Sequence, residues 1–266
     1  MKIPNKEIRK TIIGMVNRSG AAHSGSALSA VEILNTVFNN VNIQKIKDHD
    51  VNRDRVILSK GHGTAALYAV MHHHGLLDKS IIDTYFQDNT LLAGHTSHHV
   101  PYVEHSTGGL GHGLPVSLGV AIGMRTKKIS SQVFVILGDG EMQEGSNWEA
   151  IMLAGHLKMN NLTALVDINE LGQVGKLDDC CTLEPLRQKF ESFNFNVYDV
   201  DGHNEEEINN AINNGENSAR PTAILCRTIK GRGISYMEKN NLWHYKCPKD
   251  EFFEKAMEDL GDDNES

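Results

Sequence analysis

The sequence predicts an α/β fold: a mainly parallel sheet with helices on both faces. Short β-rich runs, 132–137, 162–168, 196–200 and 223–227, recur through the second half of the chain. Helical stretches separate them, and strands that alternate with helices imply right-handed βαβ crossovers. The end of the first run, Asp139, and the end of the second, Asn169, stand 30 residues apart, the length of one such unit. The 266 residues, 39% hydrophobic and 23% charged, suit one large domain or two small ones.

The elements follow in chain order. Ile8, Ile12 and Met15 mark a first helix, and Val31, Leu34, Phe38 and Val41 mark a second over 27–41, each set spaced by threes and fours. A helical stretch after Gly63 carries His72, His73 and His74, read as surface and helix-end groups. Helices are expected at 146–157, 184–193 and 205–214. The last has Asn204 as N-cap, Glu205, Glu206 and Glu207 at its positive end, and Gly215 as its stop. A final helix is expected at 250–260. One domain over 1–260 is expected, followed by an acidic tail, 261–266.

Charge and cysteine usage narrow the function. With 26 Lys+Arg against 34 Asp+Glu, net −8, the chain is a poor candidate for non-specific binding to nucleic acid or anionic membranes. No apolar run approaches the roughly 20 residues of a membrane span, and Met1–Lys10 has no apolar signal region. Cys180, Cys181, Cys226 and Cys247 lack CxxC spacing and read as reduced thiols of a cytoplasmic protein.

Parallel sheets bind ligands at the carboxyl ends of their strands. There Val133–Leu137 runs into Gly138-Asp139-Gly140, and the next strand ends at Asn169. A Gly-Asp-Gly triplet alone is a common tight turn. Paired with an Asn at a neighbouring strand end, it offers hard oxygen ligands for a divalent cation and backbone N–H groups for a diphosphate.

At these residues the sequence resembles the thiamine-diphosphate-dependent enzymes, and within them the transketolases. Gly138-Asp139-Gly140-Glu141 through Val166-Asp167-Ile168-Asn169 looks like their cofactor signature. Ala22-His23-Ser24-Gly25, Ser59-Lys60-Gly61-His62-Gly63, Gly94-His95-Thr96 and Ser106-Thr107-Gly108-Gly109-Leu110-Gly111 stand in the transketolase order. Cys226-Arg227-Thr228-Ile229-Lys230-Gly231 and Trp243-His244 continue it. The likeness is to the N-terminal half of a transketolase, and nearest to the N-terminal subunit of split, two-subunit bacterial forms.

The resemblance implies a fold that binds thiamine diphosphate with Mg2+ or another divalent cation such as Ca2+. The metal would be held by Asp139, Asn169 and the Leu171 carbonyl. The cofactor would be contacted by Gly140, Asn169, His62 and His244, with Gly108, Gly109 and Leu110 against the thiamine. His23 and His244 match catalytic histidines near the donor carbonyl, and His95 matches one near the bound sugar. Glu144 matches a residue between paired active sites, although its position also suits a helix N-terminus. Each loop histidine taken alone reads as well as a local hydrogen-bonding group. Ser24 and His112 depart from the commonest family residues, Pro and Gln. The implied reaction moves a two-carbon ketol unit from a ketose to an aldose. It would require a second subunit carrying the pyrimidine-binding domain and its Glu, in an α2β2 assembly. The rivals are the α subunit of a 2-oxo-acid dehydrogenase and a non-catalytic regulatory subunit that keeps the metal site.

Overall fold

The computed structural model describes residues 3–261; most of the expected acidic tail, 262–266, lies outside the described residues. Its helices are α1 (Asn5–Ser19), α2 (Ser24–Ser29), α3 (Val31–Asn40), α4 (Ile43–Lys47), α5 (Thr64–His73), α6 (Lys79–Ile82), α7 (Gly113–Thr126) and α8 (Gly145–His156). They continue with α9 (Leu186–Ser192), α10 (Glu205–Glu216) and α11 (Glu251–Asp259), with a 3-10 turn at Asn241–His244 before the last. The strands are β1 (Arg55–Leu58), β2 (Val133–Gly138), β3 (Leu162–Ile168), β4 (Asn196–Asp201) and β5 (Thr222–Arg227).

All strand pairs are parallel, in the order β1-β2-β3-β5-β4. Alternation along each strand sends successive side chains to opposite faces. In β2, Val133, Val135 and Leu137 pack with α7, α8 and α9, while Phe134 and Ile136 join α1, α3, α5 and α10. Both faces are therefore covered, and the central strands read as continuous apolar runs. From β3 the chain passes over one position to β4 and then turns back to β5. A right-handed crossover in the reversed direction puts α10 on the opposite face from α8 and α9.

Several expectations need correction. The helix over 27–41 is two helices, broken at Ala30 (φ −91°, ψ 2°). Ser29, just before the break, donates to the buried carboxylate of Asp167 at 2.7 Å, which ties that turn to β3. The apolar period runs through the break and so hides it. Gly215 does not stop α10; it lies inside, where a Cβ would sit 2.7 Å from Thr222 Oγ1, so glycine lets the helix lie close to β5. Asn204 does cap α10, accepting from the backbone N–H groups of Glu206 and Glu207. His72, His73 and His74 are helix-end groups, as expected, and are partly buried rather than fully exposed. They bond Leu77 O, Thr11 Oγ1 and Asn35 Oδ1 respectively.

Candidate active site

The carboxyl ends of β2 and β3 and five loops enclose a cleft of about 250 Å3. Asp139, the residue after β2, is 4% exposed. Its Oδ1 accepts from the Gly140 N–H at 2.8 Å, and its Oδ2 from Asn169 N–H at 2.8 Å and Glu170 N–H at 2.6 Å. Glu170 makes the last bond from the left-handed region, φ 64°, an uncommon conformation that curls the chain after β3 around the carboxylate. Burial, and then the nearby Asp167 carboxylate, push Asp139 up to about 6. Asn169 accepts at Oδ1 from the Leu171 N–H, 3.2 Å.

Beneath the cleft floor lies Asp167, fully buried at the end of β3. It accepts from Lys60, Thr228 and Ser29. Burial opposes its charge, but the Lys60 ammonium together with the bonds from Thr228 and Ser29 outweighs that and holds the carboxyl below its usual range. Glu141 is buried beside it, accepting from Ser59 Oγ and the Gly111 and Gly138 N–H groups. These two anchors join the loops after β1, β2 and β3 into one floor.

The expected histidines converge. His23 lies with ring centroids 5.6 Å from His62, 5.9 Å from His95 and 5.1 Å from His244. All four line the cleft with Gly108, Leu110, Asp139, Gly140, Asn169 and Leu171. His23 sits at φ 70°, and its N–H donates to the His244 carbonyl at 2.9 Å, which pins the two rings to each other. Burial, followed by neighbouring cationic groups, lowers His23 and His244 to about 4 and His62 well below its usual value. They are therefore neutral imidazoles at pH 7, able both to donate and to accept. Gly109, expected against the thiamine, is exposed and does not line the cleft. Glu144 is, as its position suggested, at the start of a helix: it is the exposed N-cap residue of α8, without a side-chain capping bond. His98 bonds Ser106 Oγ at 2.6 Å in an exposed loop away from the cleft.

Two buried lysines are the residues that sequence reasoning passed over. Lys60 is spent on Asp167. Lys230, 2% exposed, donates to Leu171 O (3.1 Å), Gly172 O (3.0 Å), Asn241 Oδ1 (3.3 Å) and His244 Nδ1 (2.8 Å), all neutral groups. Burial, then the Lys60 charge, lower it to about 8. Because His244 Nδ1 accepts from this ammonium, its ring proton is on Nε2, free for the cleft. Both lysines lie within the transketolase-like motifs 59–63 and 226–231, yet only burial distinguishes them from surface lysines.

Residues 3–266 match the family described as transketolase, thiamine diphosphate binding domain. The chain belongs to the transketolase family. It is 35% identical to one subunit of the apulose-4-phosphate transketolase of Actinobacillus succinogenes, over 96% of this chain and 93% of that one. It is 33% identical to the 6-deoxy-6-sulfo-D-fructose transketolase subunit SqwG of a Clostridium species, over 95% and 93%. The crystal structure of Campylobacter jejuni transketolase superposes with a TM-score of 0.89 at 27% identity. That match covers all of this chain but 44% of the Campylobacter transketolase.

For a transketolase domain the cleft's donor set fits the family's cofactor. A carboxylate, an amide oxygen and the Leu171 carbonyl, which Lys230 shows to face inward, are hard ligands of the kind Mg2+ or Ca2+ takes. A buried ammonium bonded only to neutral partners suits a diphosphate. Among the described residues no cluster of three His, Cys, Asp or Glu side chains offers an all-protein metal site, so phosphate oxygens and water would complete the shell.

The low histidine values carry a sign. A histidine that is neutral in the folded state but titrates near 6.5 when unfolded stabilises fully above 6.5. That contribution is lost as pH falls towards 4. Asp139 and Glu141, raised by burial, act in the opposite sense. The urea midpoint of the native chain should therefore drop more between pH 7.5 and 5 than that of a His23→Asn variant. Equal drops would contradict the buried neutral imidazole.

Proposed function

We propose that this chain is the cofactor-anchoring subunit of a split transketolase, moving a two-carbon ketol unit from a ketose to an aldose. The observation that carries the reading is the convergence of four histidines on one cleft with Asp139, Asn169 and the Leu171 carbonyl. Those three groups hold Mg2+ or Ca2+ against the diphosphate, which Gly140 approaches by its backbone and His62 contacts. Lys230 now lies on the carbonyl assigned to the metal. Like charges would repel there, so its ammonium would be available to the diphosphate when a metal occupies that carbonyl. Gly108 and Leu110 lie against the thiamine. When bound, thiamine diphosphate supplies the nucleophilic carbon and the electron sink. His23 and His244 hydrogen-bond the donor carbonyl and move protons at its oxygen, and His95 binds the sugar further out.

A second polypeptide supplies the pyrimidine-binding domain and its Glu. In support, relatives named as separate subunits are matched over 93% of their length, whereas the Campylobacter chain extends well beyond the match. An α2β2 assembly is favoured by the outward faces of α7 and α8. Gly119 and Gly123 there front open space, and Met152 (56%) and Leu153 (44%) are exposed. Glu144, at the start of α8, belongs to that interface. Four free thiols agree with a cytoplasmic setting, and among the described residues no helix is long and apolar enough to cross a membrane.

The test is to assay ketol transfer with added thiamine diphosphate and Mg2+ for this chain alone and after mixing with the pyrimidine-binding subunit. Turnover is expected only on mixing, with light scattering giving a mass of two copies of each chain. Full turnover from the lone chain would overturn the half-enzyme reading.

A further inference from the structure

Lys230 sits in a segment with glycine at two left-handed positions, Gly231 (φ 82°) and Gly233 (φ 89°). Such backbone has the freedom to move its neighbours unless something outside fixes it. Outside the cleft lining, packed on the same segment, lies a trio of side chains: Arg9 (2% exposed) and Glu32 (4%), both buried, and the partly buried His203 (side chain 10% exposed). His203 Nε2 accepts from the Ile229 N–H at 2.8 Å, and Arg9 Nε donates to the Arg232 carbonyl at 3.0 Å. Glu32 joins the two, accepting from Arg9 Nη2 at 2.8 Å and from His203 Nδ1 at 3.0 Å. The trio thus grips the backbone on both sides of Lys230 and contributes nothing to the cleft lining itself.

We propose that Arg9, Glu32 and His203 form a clamp that aims Lys230 into the cofactor cleft, with His203 as a positioning residue. The tautomer follows from the bonds. An amide N–H donates to Nε2, so the ring proton is on Nδ1 and points at Glu32, as a carboxylate orients a histidine that serves another group. Glu32 is in turn fixed by Arg9, so neither ring flip nor tautomer exchange is open to His203 without leaving a buried group unpaired. A buried ion pair is a poor source of net stability. What this one supplies is direction, and both of its outer bonds end on the backbone that carries Lys230. The clamp fixes the backbone and leaves the long side chain free to exchange the Leu171 carbonyl for a diphosphate.

The inference rests on Lys230 facing the diphosphate, so the experiment separates the two claims. Thiamine diphosphate affinity at fixed Mg2+ is measured by calorimetry on the assembled enzyme, together with the thermal midpoint, for His203→Ala, His203→Gln, Arg9→Lys, Lys230→Met and the double variant His203→Ala/Lys230→Met. His203→Ala should weaken binding roughly tenfold, the lower end of what supporting-shell changes cost. His203→Gln, whose amide can accept from Ile229 and donate to Glu32, should restore most of it. Arg9→Lys keeps the charge on Glu32 but loses the Nε donor, and should weaken binding in the same direction even where His203→Ala folds poorly. The double variant should bind no more weakly than Lys230→Met, because the clamp acts only through that lysine. Additive losses, or wild-type affinity in both His203→Ala and Arg9→Lys while Lys230→Met is impaired, would overturn the clamp alone. Wild-type affinity in Lys230→Met would overturn the diphosphate role of Lys230 and the clamp with it.

Discussion

An Asp139→Ala variant of the assembled enzyme should bind Mg2+ and thiamine diphosphate at least a hundredfold more weakly than wild type. Replacing residues that merely support a metal ligand commonly costs about 10–100-fold, and Asp139 is the only anionic ligand in the proposed set. The variant also strands the N–H groups of Gly140, Asn169 and Glu170, which the carboxylate now gathers. Loss of those bonds loosens the turn after β3 and takes the Leu171 carbonyl with it. Asp139→Asn separates the two effects. Its amide oxygen keeps part of the N–H array without the charge, so it should fold normally and still bind metal poorly. Calorimetry is the measurement, and unchanged metal and cofactor affinity in either variant would sink the ligand assignment.

The second large effect concerns His23. Replacing it should lower kcat by about 10²–10⁴-fold, the usual contribution of a positioned acid–base group, with cofactor affinity unchanged. Its left-handed backbone makes Ala a poor probe, and Asn tolerates that conformation best among non-glycine residues. In steady-state kinetics with saturating cofactor, His23→Asn should lose kcat and kcat/KM together. Wild-type turnover on the donor sugar would contradict the role. His244 gives a less clean result, because its Nδ1 accepts from Lys230. His244→Asn should therefore lose turnover and some cofactor affinity at once.

Strands β2 to β5 were legible to within a residue at either end: β2, β3 and β5 because buried strands of a parallel sheet announce themselves as largely apolar runs, and the half-exposed edge strand β4 through its β-branched and aromatic Val197, Tyr198 and Val200. β1 was not. Arg55–Leu58 has four residues, too few to show a period, and becomes a strand by pairing along its whole length with β2. α7 was hidden by Gly113, Pro115, Gly119 and Gly123, a composition that discourages helix; burial of Leu114, Leu118, Ala121 and Met124 against the sheet overrides it. Gly113 itself answers a close approach, since a Cβ there would lie 2.3 Å from Ser59 Oγ. In the site, the motifs pointed to the histidines, Asp139 and Asn169 that line the cleft but were silent on Lys60 and Lys230. A lysine is by default a solvated charge, and only the fold removes these two from water.

Parallel strands give the domain two unlike rims. Asp139, Asn169 and the segment carrying Lys230 all leave the carboxyl ends of β2, β3 and β5. The amino ends are reached through short polar connections such as 127–131 and 217–220, which contribute nothing to the cleft lining. That rim is a natural handle. A fluorophore, an affinity tag or a surface tether attached at 217–220 would leave the opposite rim open to cofactor, so cofactor binding could be followed on an immobilised chain in its working orientation.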